Sequence, residues 1–196
     1  MARKTQISKE VILEAAFQIL LRKGYGAINI TGLAKEIGCS TQPIAWQFGS
    51  MEGLRAELLE YCLNFLKDRF VVEGDNISGI LEGIAFRYIE LAVDYPNLYK
   101  YLYMSEQDGK KMAETARALR VGNQEKVVRM LQEKHGVSAE GAAKYLLNLQ
   151  LYVHGIASFV VTKVEFPSKE LIMQMIHDAS EAFIKQTKER QQDEDY

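Results

Sequence analysis

Proline, cysteine and tryptophan are scarce in this sequence. Three prolines in 196 residues leave room for long helices, because a proline inside a helix removes a donor and clashes with the preceding turn. Two cysteines, Cys39 and Cys62, are too few and too far apart for a disulfide framework, which predicts an intracellular, cytoplasmic protein. No apolar run reaches the ~20 residues of a membrane-spanning helix. The opening MARKTQISKE has no apolar signal core, so neither secretion nor membrane insertion is expected. No segment alternates with period two, which argues against a sheet-based fold. What the chain does have is apolar mass: 47% of its residues are hydrophobic. At this length that suffices to bury roughly 70% of the unfolded surface without staples.

Reaction chemistry is equally thin. His135, His154 and His177 lie on or near different helices, with no cysteine or carboxylate around them at zinc-site spacing. Gly24-x-Gly26 lacks the third glycine and the preceding strand of a dinucleotide fingerprint. No paired catalytic constellation stands out. These absences predict a non-enzyme with no metal and no cofactor.

Charge is divided unevenly along the chain. Residues 1–55 carry seven basic and four acidic side chains, net +3, whereas the remainder is net −5 and closes on QQDEDY. A basic head on an acidic body suggests that only the head meets a polyanion.

Caps and apolar periodicity predict an all-α fold of about nine helices. Ser8 caps the first, with Ile12, Ala15, Ala16, Ile19 and Leu20 as its buried stripe and Gly24 as its stop. Asn29 caps a short second helix, Ile30–Ile37. After the turn Gly38-Cys39-Ser40, Ser40 caps a third, Thr41–Phe48, whose start Pro43 makes irregular. Ser50 caps a fourth that runs to about Phe70. Further helices are expected over Ile77–Asp94, Pro96–Ser105, Lys110–Lys134, Ala139–Val164 and Ser168–Arg190, separated by breaks rich in Gly, Pro, Asn or Ser.

Residues 29–48 form the sharpest signal. Two short helices joined at a steep angle need a small residue at the crossing, a backbone position tolerant of unusual φ, and apolar residues sealing the corner. Ala34, Gly38 and Ile44 fill those roles, backed by Leu33 and Ile37. Such a helix-turn-helix lets its second helix enter a major groove while the first crosses the backbone.

On these residues the sequence resembles the tetracycline-repressor (TetR) family of bacterial transcriptional regulators. The resemblance is carried by positions 12–54, through Ala15-Ala16, Gly24-Tyr25, Leu33-Ala34, Gly38, Ser40, Phe48, Ser50, Glu52 and Leu54. Further on, YPNLYKYLY (95–103) and VHGIA (153–157) look like segments of many members. The resemblance implies a helix-turn-helix DNA-binding domain over residues 1–50 and a helical effector-binding and dimerisation domain over 51–196. Two positions depart from the family pattern: its phosphate-contacting Tyr falls at Ala45 and its Lys at Met51. Ser50 with the N–H groups at the start of the fourth helix, and the indole N–H of Trp46, are the expected replacements. Fewer charged contacts imply a shallow salt dependence, at about −0.9 per neutralised phosphate on the log–log slope.

Base reading then falls to Gln42 and Gln47 as adenine partners and Thr41 against a thymine methyl. The resemblance adds Thr31, where the family often contacts bases or phosphates, and Ser40, with Arg3 and Lys4 as a flexible arm on phosphates or in the minor groove. In the body, tyrosines cluster between 61 and 152. The resemblance points to a cavity lined by Phe86, Tyr99, Tyr103, Met104, Tyr152 and His154 for a small apolar or aromatic effector. It also implies a four-helix homodimer interface. Its expected members are Leu151, Gly155, Ser158 and Phe159 on the eighth helix and Ile172, Met175, Ile176, Ala179 and Phe183 on the ninth. The expected partners are therefore a double-stranded palindromic operator, an effector and a second copy of the chain. The expected function is a ligand-responsive regulator, in the first instance a repressor. The rival is a ligand-binding or protein-interaction module of the same fold with weakened DNA reading.

Overall fold

Short polar side chains start the helices where the sequence places them. In the computed structural model, which describes residues 7–70, 74, 76–105, 124–162 and 168–194, Ser8 accepts from the Val11 N–H and opens α1 (Lys9–Lys23). Asn29 accepts from the Gly32 N–H at 2.8 Å and opens α2 (Ile30–Ile37). Ser138 and Ser168 do the same for two later helices. Each such cap satisfies a donor that the first turn leaves unpaired, at about 1 kcal/mol apiece.

The third helix begins differently from expectation. α3 spans Gln42–Phe48, with Thr41 at its N-cap in helical geometry and no side-chain cap bond. Ser40 does not cap it. Had it done so, Pro43 would stand at the third helical position, where a capping oxygen seeks an N–H that proline lacks. α4 (Met51–Lys67) ends in a 3₁₀ turn at Asp68–Phe70. Then come α5 (Ile77–Asp94), α6 (Pro96–Tyr103), α7 (Gln124–His135), α8 (Ala139–Val161) and α9 (Lys169–Glu194). The described residues thus hold nine α-helices and no strand. The expected starts of the seventh helix and ends of the eighth lie partly outside the described residues.

Two units emerge from packing. One comprises the described residues of 1–68 and 95–112, the other those of 69–94 and 113–196. In the first, α1 is central and packs on α2, α4 and α6. Ile12, Ala16, Phe17, Ile19 and Leu20 on α1 are buried, as are Leu54, Leu58, Cys62 and Leu66 on α4. Each large aliphatic so buried contributes about 1.5–3 kcal/mol. Asn97 of α6 donates to the Leu21 carbonyl at 2.9 Å, holding the C-terminal end of α1.

In the second unit α8 packs against both α5 and α9. Val153, Ile156 and Ala157 of α8 and Ile172 and Ile176 of α9 are buried. Tyr145 and Ser180 share a buried 2.6 Å hydrogen bond within this layer. Ile172 and Ile176, expected at a dimer interface, belong instead to this internal core. With Ser180 and Ile184 they recur every four residues along one face, which α5 and α8 cover. Among the described residues no helix is long and apolar enough to cross a membrane.

Candidate nucleic-acid interface

The corner between α2 and α3 is built on one backbone conformation. Gly38 has φ 76° and ψ 35°, and its N–H bonds back to the Ala34 carbonyl. This left-handed geometry would cost another residue about 1–2 kcal/mol. The turn lets Leu33 and Ala34 of α2 and Ile44 and Phe48 of α3 bury together in the head. A salt bridge from Arg22 to Glu36 ties α1 to α2, and one from Lys9 to Glu57 ties α1 to α4. Lys9 also lies over the Phe48 ring, 5.3 Å from its centroid.

With that inner face fixed, the outer face of α3 is determined. Gln42, Ala45, Trp46 and Gly49 fall at helical spacing and all are exposed. Trp46 is 74% exposed, so internal packing makes little use of the chain's one indole. Ser40, Thr41 and Thr31 are also exposed. Gln47 is not in the same position. It is half-buried and donates to the Ile7 carbonyl, joining α3 to the segment before α1. Arg3 and Lys4 lie outside the described residues.

At the start of α4 the donors are partly engaged already. The Ser50 hydroxyl accepts from the Gly53 N–H at 3.2 Å. The Glu52 backbone N–H, then the Ser50 hydroxyl, hold the Glu52 carboxyl below the usual carboxylate value. The start of α4 thus already holds a carboxylate of its own, beside the expected phosphate position at Ser50.

The expected effector residues divide between the units. In the first, Tyr99 is fully buried with its ring 5.0 Å from that of Tyr103, which is half-buried, while Met104 is exposed. In the second, Phe86 lies under Lys169, 4.1 Å from ammonium to ring centroid, and Tyr152 meets Phe183 edge-on. His154 Nδ1 and the Tyr88 hydroxyl are 2.8 Å apart, and burial pushes the His154 pKa below 6.5. Among the described residues there is no group of three or more His, Cys, Asp or Glu able to hold a metal ion.

Sequence reasoning missed a second histidine contact, from His177 to Glu82 at 2.9 Å, which ties α9 to α5. Its hydrogen bond and charge raise the His177 pKa above 6.5. The two histidines therefore titrate on opposite sides of the ordinary value. NMR titration should place His177 above 6.5 and His154 below it, and Glu82→Gln should bring His177 back without moving His154. The sign follows from linkage. A raised histidine pKa favours the folded state below the unfolded value, and that contribution disappears as pH rises through the folded one.

The apolar surface of the second unit is also asymmetric. On α8, Leu147, Leu151 and Phe159 are exposed, with Gly155 and Ser158 between them on the same face, and a Cβ added at Gly155 would meet only open space. On α9, Leu171 and Ala182 are exposed and Met175, Ala179 and Phe183 are half-buried. Exposed apolar side chains clustered on adjacent helices mark a contact surface more often than scattered ones do.

Residues 12–58 match the family described as bacterial regulatory proteins, tetR family. No curated protein sequence matches the chain. Among solved structures it resembles MexZ, a repressor responsible for antibiotic resistance in Pseudomonas aeruginosa (TM-score 0.63, 15% identity, 89% of this chain and 94% of that one). It also resembles a TetR variant from Acinetobacter baumannii in complex with minocycline (0.57, 16%, 93% and 97%). A third likeness is to the flavonoid-responsive regulator FrrA (0.57, 19%, 90% and 94%). At these identities the likeness is one of fold, extending over nearly the whole chain.

Proposed function

We infer, from N-terminal helices that carry the DNA-binding module of the tetR family, that this chain is a homodimeric, sequence-specific DNA-binding transcriptional regulator responsive to a small ligand. The observation that carries this reading is the outward face of α3. Gly38 and the buried Ile44 and Phe48 leave Gln42, Ala45 and Trp46 unused by the fold and free to meet base edges. Residues 1–50 are the reading domain and residues 51–196 the effector and dimerisation domain. The chain acts as a repressor, released from a palindromic operator by an apolar or aromatic effector.

The effector part is supported by chemistry and by analogy of fold. One structural neighbour holds minocycline and another is flavonoid-responsive. Within the second unit, the aromatic side chains Phe86 and Tyr152, with the polar Tyr88–His154 pair, suit a ligand of similar character. An effector that binds one conformation better than the other changes the spacing of two recognition helices, and DNA and effector then oppose each other by linkage. α4, which begins directly after α3 and packs on α1, is the transmitting element.

A second reading, a module of this fold with weakened DNA reading, draws on Ala45, Met51 and the Glu52 carboxyl at the start of α4. Trp46 separates the two, being the only tryptophan. Its fluorescence should change on adding an operator fragment and recover on adding effector. An emission spectrum indifferent to every duplex, including those from the flanking intergenic regions, would favour the second reading.

A further inference from the structure

The DNA-facing surface of α3 lacks a feature that most major-groove readers use. Arginine or lysine bound to the O6 and N7 acceptors of guanine is the commonest specific contact in the major groove. α3 reads QPIAWQF, with no basic residue, and its exposed face consists of Gln42, Ala45, Trp46 and Gly49. Lys35 is exposed one turn beyond Thr31 on α2, the helix that crosses the phosphate backbone in this motif and not the one inserted among bases.

From this face we propose that the chain reads A·T pairs at the centre of each half-site, by the thymine methyl as much as by hydrogen bonds. The proposal rests on the DNA-reading function above. A glutamine pairs with the N7 and N6 of adenine, and Gln42 is the residue placed to do so. Apolar side chains recognise the C5 methyl of thymine, the one apolar group a base pair presents in the major groove. Ala45 and Trp46 offer a methyl group and a broad indole side by side, Trp46 being 74% exposed. Gly49, exposed with no side chain, lets the end of the helix approach the groove floor. Each of the exposed side chains on this face thus matches a feature of A or T, and no charged group on it answers guanine.

Selection of bound duplexes from a random library with the full-length chain tests the composition directly. Enriched half-sites should carry A·T pairs beneath α3. On the best site, replacing the central thymines by uracil removes only methyl groups and should weaken binding about fourfold per contacted methyl. Trp46→Ala should lower affinity and abolish sensitivity to one of those substitutions, while Trp46→Phe should retain it. Thermal melting confirms that these surface variants stay folded. An enriched motif with invariant G·C pairs at the half-site centre would overturn the proposal, as would uracil duplexes bound as tightly as thymine ones. A library that yields no enrichment at all would instead remove the DNA-reading function on which the proposal rests, and the two failures are distinct.

Discussion

Gly53→Ala should destabilise the head by about 2–3 kcal/mol, more than other surface substitutions there. The reason is local and geometric. A Cβ at position 53 would lie 2.2 Å from the Phe48 carbonyl oxygen, a distance no carbon and oxygen tolerate without movement. That carbonyl cannot easily yield, because the Ser50 N–H is bonded to it at 2.7 Å and the Phe48 ring is buried in the head. The strain must pass either into α3, displacing Trp46 and Gln42, or into the first turn of α4. Overpacking of this kind costs about 1–3 kcal/mol, and the contact is backbone, so the upper part of that range applies. Each kcal/mol lowers the melting point of a chain of this length by about 2–4 °C. Gly26→Ala is the matched control, since its Cβ would meet nothing within 4 Å. Thermal denaturation of both variants checks the claim: a Gly53→Ala chain that melts with the parent would refute it. Displacement of α3 should also weaken DNA binding well below the midpoint, where the variant is still folded.

That constraint illustrates what the sequence does and does not disclose. Helix starts were legible because a cap is a local bond between residues three apart, as at Ser8 and Asn29. The Gly38 corner was legible for the same reason, being one residue between two short apolar periods. Ser40 misled because capping preference says nothing of whether the receiving position has an N–H, and Pro43 removes it. Gln47 misled because its partner, the Ile7 carbonyl, is forty residues away in sequence. The Gly53 contact is invisible to periodicity, since any small residue satisfies a helix pattern. Ile172 and Ile176 mark a different limit. α9 is apolar over adjoining faces, and spacing alone cannot say which face turns inward. Only packing on α5 and α8 decides it. A tyrosine-rich body is legible in the sequence, but which side chains would meet a ligand depends on contacts that no helical period encodes.

The same distinction between faces gives the second large effect. Leu151→Asp should abolish dimerisation while leaving the fold of the subunit intact. Leu151 is 61% exposed, so a carboxylate there is fully solvated in the monomer. In a dimer built on Leu147, Leu151, Gly155 and Phe159, that carboxylate would be desolvated without a partner, a penalty of several kcal/mol. The dimerisation constant should weaken by about 100-fold or more. Operator affinity should fall by a comparable factor, because a monomer engages one half-site and forfeits the gain from linking two. Ile176→Asp should behave differently, unfolding the second unit outright, since Ile176 is 2% exposed and internal. Met173→Asp is the third arm. Met173 is exposed, two residues along α9 from Leu171 and so on another face of the helix, and it should change neither association nor melting. Sedimentation and thermal denaturation on the three variants separate interface from core. A Leu151→Asp chain that sediments as the parent would place the subunit contact elsewhere and detach the two-fold operator from this surface.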